Sequence, residues 1–304
     1  MQLAALVSGL IVVAAVMFIG YRIVAPDDPL NIIPTPEHGV IKDVNAEDLS
    51  VKFGITSTGP TKVTDTLIEL HAYLGKTPDA TDIKLGDYMV LPSLSVTQDT
   101  DNQGAISGLS NVRVLVVGIN SFNGKNGNNT PHLVFQFKDA LVDRTMGVAA
   151  APYSYIDSGI QTYLKGNFVS GLENAGVLSA YLWAPSRAIA EKYNSTSATI
   201  IADTVWLPTE WEIFGANTFS VSAAETVANQ AKLEYYTTAD TRKKGLSATP
   251  STPTYYWLAS PLAGTITGAG DIACTVSGSG DAFVEYTFAP AGGPLGFAPA
   301  FCVY

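Results

Sequence analysis

Hydrophobic positions follow three different patterns along the chain. From Leu3 to Ile19 the sequence reads LAALVSGLIVVAAVMFI, apolar with only Ser8 and Gly9 interrupting. A helix over residues 1–25 would be roughly 37 Å long at ~1.5 Å per residue, enough to cross a ~30 Å hydrocarbon layer. It is apolar all round, so it predicts burial in lipid or in protein. Residues 26–36, PDDPLNIIPTP, carry four prolines and predict an extended linker. Alternation in LSVKFGIT then predicts a strand ended by Gly59-Pro60. In KVTDTLIELHAYL, residues 62–74, Val63, Leu67, Leu70 and Leu74 share one face of a short helix, stopped by Gly75 and Pro78. Residues 37–80 thus read as a small collar or an entry into the main domain.

From residue 84 the pattern changes to short strands with Gly/Asn turns: YMVLPSLSV, VRVLVVGIN and HLVFQF. Asn123-Gly124 and Asn126-Gly127 mark a hairpin-type loop before the third. Helical patches are predicted at 154–182 and 222–236, and strands at 199–207, 254–259, 271–277, 282–288 and 297–303. Residues 84–304 read as one α+β domain.

Composition narrows the function classes. Charged residues are 14% of the chain, well below the roughly 25% of ordinary soluble domains, and the net charge is −10. No basic stripe is present, so a nucleic-acid partner is not expected. Ser, Thr, Gly and Tyr dominate the polar content, the look of an extracellular surface.

Residues 1–25 admit three readings: a cleavable secretory signal, a membrane anchor, or a processed terminus. A signal is disfavoured by the lack of a basic n-region. An anchor places its flanking Arg22 on the side of the large domain, against the positive-inside rule. The third reading resembles mature type IV pilins and their archaeal and pseudopilin relatives, although Ala5 stands where the bacterial proteins carry Glu. That resemblance implies a filament subunit whose helices, membrane-inserted before assembly, form a homopolymer core. Leu3, Leu6, Leu10, Val13 and Met17 would line the assembly helix, with Gly9 and Gly20 allowing close approach.

Four further segments carry a second resemblance: SYIDSGIQTYLKGNFVSGL (154–172), DTVWLPTEWEIFG (203–215), YYWLASP (255–261) and GFAPAFCV (296–303). They are similar to a family of bacterial and phage surface domains with a C-type-lectin-like fold, shared with formylglycine-generating enzymes. Matching positions are Ile160, Tyr163, Leu164 and Phe168; Val205, Leu207, Pro208 and Glu210; Trp257, Leu258, Ser260 and Pro261; Gly296, Pro299 and Ala300. Ala259 and Ala298 replace arginines of the family pattern. Together with the apolar run at residues 1–25, this resemblance implies an α+β chain with a long N-terminal helix followed by a lectin-like surface domain, for which a surface or glycan ligand is a candidate partner.

Candidate chemistry is sparse. Cys274 and Cys302 are the only cysteines and lie in strand-like segments; a structural disulfide is expected, two buried thiols being the alternative. His38, His71 and His132 show no metal-ligand spacing. Asp99 and Asp101 open a loop with calcium-like spacing, but Ser110 stands where a bidentate Glu belongs. Asn128 and Asn194 begin N-x-[ST] sequons and are glycosylation candidates. No cofactor and no enzymatic activity are expected. The leading expectation is a surface filament subunit at the cell boundary. A membrane-anchored, adhesin-like binding module is the alternative, and a formylglycine-generating type of enzyme a distant third.

Overall fold

The computed structural model describes residues 46–100, 104–147, 154–191, 195–220, 230–263, 272–286 and 295–304. The apolar segment 1–25 with its assembly residues Leu3, Leu6, Gly9, Leu10, Val13, Met17 and Gly20, the linker 26–36, Asp101 and Asn194 lie outside them.

The described chain begins with α1 (Leu49–Lys52), where a strand was expected. Asp48 overrides the alternation: its side chain accepts from the Ser50 backbone N–H and caps a helical turn. Helix α2 (Gly59–Lys76) starts with Pro60 in its first turn and buries Val63, Thr66, Leu67, Leu70 and Leu74. These residues enter the same core as the strands, so the described residues of this stretch form an entry into the main domain and not a separate collar.

Strands β1 (Tyr88–Val96), β2 (Ile106–Ile119) and β3 (Leu133–Phe137) form an antiparallel meander. Helix α3 (Gly159–Tyr163) continues through a π-turn at Leu164–Phe168 into α4 (Val169–Asn174). Next come β4 (Leu182–Trp183), the ribbon of β5 (Ser186–Ala190) and β6 (Ala198–Ala202), and β7 (Val205–Trp206). Helices α5 (Glu210–Phe214) and α6 (Ala239–Arg242) are short. Residues 230–236, within the second expected helical patch, are not helical. The hairpin of β8 (Gly245–Leu246) and β9 (Thr249–Pro253) precedes a three-stranded sheet of β10 (Tyr256–Pro261), β11 (Ile272–Val276) and β12 (Ala282–Tyr286). The C-terminal β13 (Ala300–Val303) returns to the main sheet, between β3 on one side and β4 and β7 on the other.

Burial on both faces explains why β3 and β13 are apolar throughout except at Gln136, whose buried amide donates to Ala298 O and accepts from the Tyr236 hydroxyl. Leu133, Phe135, Phe137, Phe301 and Val303 face the core shared with α2, α3 and α4, whereas Val134, Ala300 and Cys302 face a second core with Trp206, Ile213 and Tyr236. Phe135 and Phe301 are register partners and stack at 5.5 Å between ring centroids.

These features correct the expected fold class. Strand outweighs helix among the described residues, 33% against 23%, and the main sheet curls into an antiparallel half-barrel instead of the expected C-type-lectin-like α+β domain headed by a long apolar helix. The longest described helix, α2, carries Lys62, Asp65, Glu69 and Lys76 opposite its apolar stripe. Among the described residues no helix is long and apolar enough to cross a membrane, so the pilin and transmembrane-helix assignments are not sustained.

Candidate functional site

The four segments singled out in the sequence meet in space, and their role there is to hold the sheets together. Glu210 N donates to Ser260 Oγ at 2.8 Å, Ala259 N to Pro208 O at 2.9 Å, and Trp257 N to Gly296 O at 3.0 Å. Strand β7 pairs with β13 through Val205↔Phe301 and Trp206↔Ala300. The fully buried Glu210 carboxylate accepts from Phe219 N and Ser220 N; burial pushes its pKa up, and these hydrogen bonds oppose the rise.

Beside this junction lies a buried ion pair that sequence reasoning did not find. Arg187 on β5 donates from Nε to Glu212 Oε1 at 2.7 Å and from Nη2 to Glu212 Oε2 at 2.8 Å, while its guanidinium lies 4.9 Å from the Trp206 ring centroid. Glu212 also completes the capping box of α5, accepting from Thr209 N at 2.8 Å as its own N–H donates to Thr209 Oγ1. T-E-W-E at the start of α5 is the one local signal that pointed there.

Lys244 is the second missed group. Its ammonium donates to Phe137 O at 2.6 Å and Lys138 O at 3.2 Å, and sits 5.7 Å and 6.0 Å from the Tyr256 and Tyr236 rings. Burial lowers its pKa to about 7, with Asp139 opposing the fall. His132 is also buried and structural: Nε2 accepts from Phe122 N at 3.2 Å, Nδ1 bonds Thr130 O, and burial lowers its pKa to about 4.

The expected site residues are placed as follows. Cys274 and Cys302 are both buried thiols, on β11 and β13, and are not joined, which corrects the expected disulfide. Asp99, a weak calcium candidate in the sequence, pairs with Arg144, whose guanidinium is buried 4.4 Å from the Tyr163 ring centroid. Among the described residues no group of three or more His, Cys, Asp or Glu is placed to hold a metal ion. Asn128 is buried, with Nδ2 donating to Ser186 O at 2.9 Å and Oδ1 accepting from Ser186 N at 3.1 Å. In the folded domain this amide is committed to the loop that carries β5, not to a glycan.

An aromatic pair is exposed at the rim of the three-stranded sheet. Register aligns Trp257, Thr275 and Phe283 across β10, β11 and β12, so one face runs from buried Trp257 outward to Phe283. Tyr255, two residues before Trp257, meets Phe283 there at 5.3 Å between centroids and 67° between ring planes. The rings are 38% and 40% exposed, whereas Tyr155, Tyr163, Tyr236, Phe135 and Phe168 are buried. The turn between β11 and β12 sets a polar edge beside them. Ser277 Oγ and Ser279 Oγ lie 2.8 Å apart, and Ser279 Oγ donates to the exposed Asp281 Oδ2 at 2.8 Å. Gly278 brings this turn against Pro253 of β9, where an added Cβ would lie 3.3 Å from the Pro253 carbonyl.

The fold and these sites define a mainly antiparallel β protein with a structural polar interior and an aromatic rim. No protein-family profile matches the chain, and neither curated proteins nor solved structures provide a significant match.

Proposed function

We propose that this domain is a non-catalytic, adhesin-like binding module displayed at the cell surface, and that it takes neutral carbohydrate at Tyr255 and Phe283. The observation that carries the reading is the exposed, tilted ring pair with Ser279 and Asp281 at its edge. Aromatic faces accept the apolar C–H face of a sugar ring, and a carboxylate beside them accepts hydrogen bonds from its hydroxyls. The weakly charged, acidic composition agrees with a neutral ligand rather than an anionic one.

A glycan array probed with purified protein, followed by calorimetric titration of the best neutral oligosaccharide, tests this. Tyr255→Ala and Phe283→Ala are each expected to weaken binding at least about tenfold, equivalent to ~1.4 kcal/mol. Asp281→Asn is expected to have a smaller effect. Binding unchanged in Tyr255→Ala/Phe283→Ala, or no neutral glycan bound by the folded protein, would overturn the proposal.

A further inference from the structure

The ribbon of β5 and β6 ends in an edge strand with none of the usual protection. Among the described residues β6 pairs with β5 alone, leaving its second edge of backbone N–H and C=O groups open. Two other edges are guarded: β1 carries Pro92 in mid-strand, and β9 carries Pro250 and Pro253. Residues 198–202 of β6 read Ala-Thr-Ile-Ile-Ala, with no proline and no charge, and Ile200 is 53% exposed. An uncharged edge of strong strand formers is a template for another strand.

The sequence of this edge identifies the occupant. Antiparallel pairing with a second copy, centred on Ile200, sets Ala198 opposite Ala202, Thr199 opposite Ile201, and Ile200 opposite Ile200. Every pair is then apolar or small on both sides of the ribbon, and the operation is a two-fold axis that closes at two copies. Charge does not oppose it locally, although each copy carries −10 overall. The nearby Glu191 carboxylate accepts from Thr199 Oγ1 at 3.1 Å, on the face opposite Ile200.

We infer that β6 is a self-association edge through which two copies of this chain join their ribbons into one four-stranded antiparallel sheet. The inference goes beyond the carbohydrate reading and does not depend on it.

Site-directed cross-linking of the full chain tests it. Directly opposed residues in an antiparallel pair have Cα atoms about 4.5–5.5 Å apart, within disulfide range. Ile200→Cys is therefore expected to form a covalent dimer at least about tenfold faster on mild oxidation than Val51→Cys. Val51, 72% exposed on α1, reports random collision, and the buried Cys274 and Cys302 do not interfere. Adding Ala198→Lys/Ala202→Lys places lysine opposite lysine and is expected to slow cross-linking to the Val51→Cys rate. Adding Ala198→Lys/Ala202→Glu places lysine opposite glutamate and is expected to keep it fast. Cross-linking at Ile200→Cys no faster than at Val51→Cys overturns the inference, as does equal behaviour of the Lys/Lys and Lys/Glu variants.

Discussion

Arg187 and Glu212 face each other through two parallel hydrogen bonds of 2.7 Å and 2.8 Å inside the protein, where neither side chain is more than 4% exposed. Arg187 Nη2 also donates to Leu207 O at 3.1 Å, tying the β5–β6 ribbon to the chain entering α5. Removing one partner leaves the other charge buried and unpaired, which costs about 3–5 kcal/mol. Glu212→Ala and Arg187→Ala are expected to lose stability on that scale in urea unfolding. Glu212→Gln retains an oxygen for the Thr209 N–H and is expected to lose less. Equal stability of Glu212→Ala and the parent would show that the pair is immaterial.

Lys244 makes stability depend on pH in an unusual window. Its folded pKa of about 7 lies below the ordinary lysine value of 10.5, so between these limits the unfolded lysine holds a proton that the folded one has released. Stability therefore falls as pH drops from about 10.5 to about 7 and does not change further through this group below that. Burial raises the pKa of Tyr236 and Tyr256 well beyond the usual range, which opposes the gain where unfolded tyrosines ionise. Unfolded Cys302 ionises from about pH 8 while the buried thiol stays protonated, so the clean interval is about pH 7 to 8, where denaturant midpoints should rise with pH. Lys244→Met is expected to flatten that slope.

The two cysteines supply a direct chemical test of the core. Cys302 sits on the central β13, and burial raises its thiol pKa far above the usual value, so it resists thiolate formation. Native protein is expected to titrate no thiol with an aromatic disulfide reagent at pH 8, and two after unfolding in denaturant. Cys274→Ala/Cys302→Ala should fold and give neither. Two unreactive sulfurs that persist in denaturant and appear only after reduction would restore the disulfide.

Gly176 ends α4 with φ +97°, where an added Cβ would lie 2.2 Å from the Pro60 carbonyl at the start of α2. Thr64 Oγ1 donates to Gly176 O at 3.0 Å across the same contact. Neither the positive φ nor the carbonyl can accommodate a methyl group without backbone movement. Gly176→Ala is expected to lower stability by about 2 kcal/mol or more, read as a fall in melting temperature. An unchanged melting temperature would mean that α2 does not seat on α4 this closely.

Local patterns sufficed where one element determines its own residues. The spacing of Val63, Leu67, Leu70 and Leu74 is a property of one helix, and YMVLPSLSV alternates because a single strand faces core and solvent in turn. They failed where neighbours interfere. LSVKFGIT alternates like a strand, yet the Asp48 cap turns Leu49–Lys52 into a helix. The helical patch expected at 222–236 is not helical in its described part, residues 230–236, where Leu233 and Tyr236 join the second core.

The candidate site was legible only in fragments. YYWLASP was recognised as a unit, and its Trp257 lies in the core, but the exposed partner of Tyr255 comes from Phe283 on a strand two positions away in the sheet. Likewise Arg187 and Glu212 lie 25 residues apart, and Lys244 reaches carbonyls more than 100 residues earlier. The sequence alone determined which short segments are apolar on one face or on both, because side-chain spacing is written locally. Only the tertiary structure decided that β13 inserts beside β3, that the cysteines stay apart, and which aromatic and charged groups meet. Those outcomes depend on chain crossings between distant segments, and burial on both sides of a sheet erases the alternation that would reveal them.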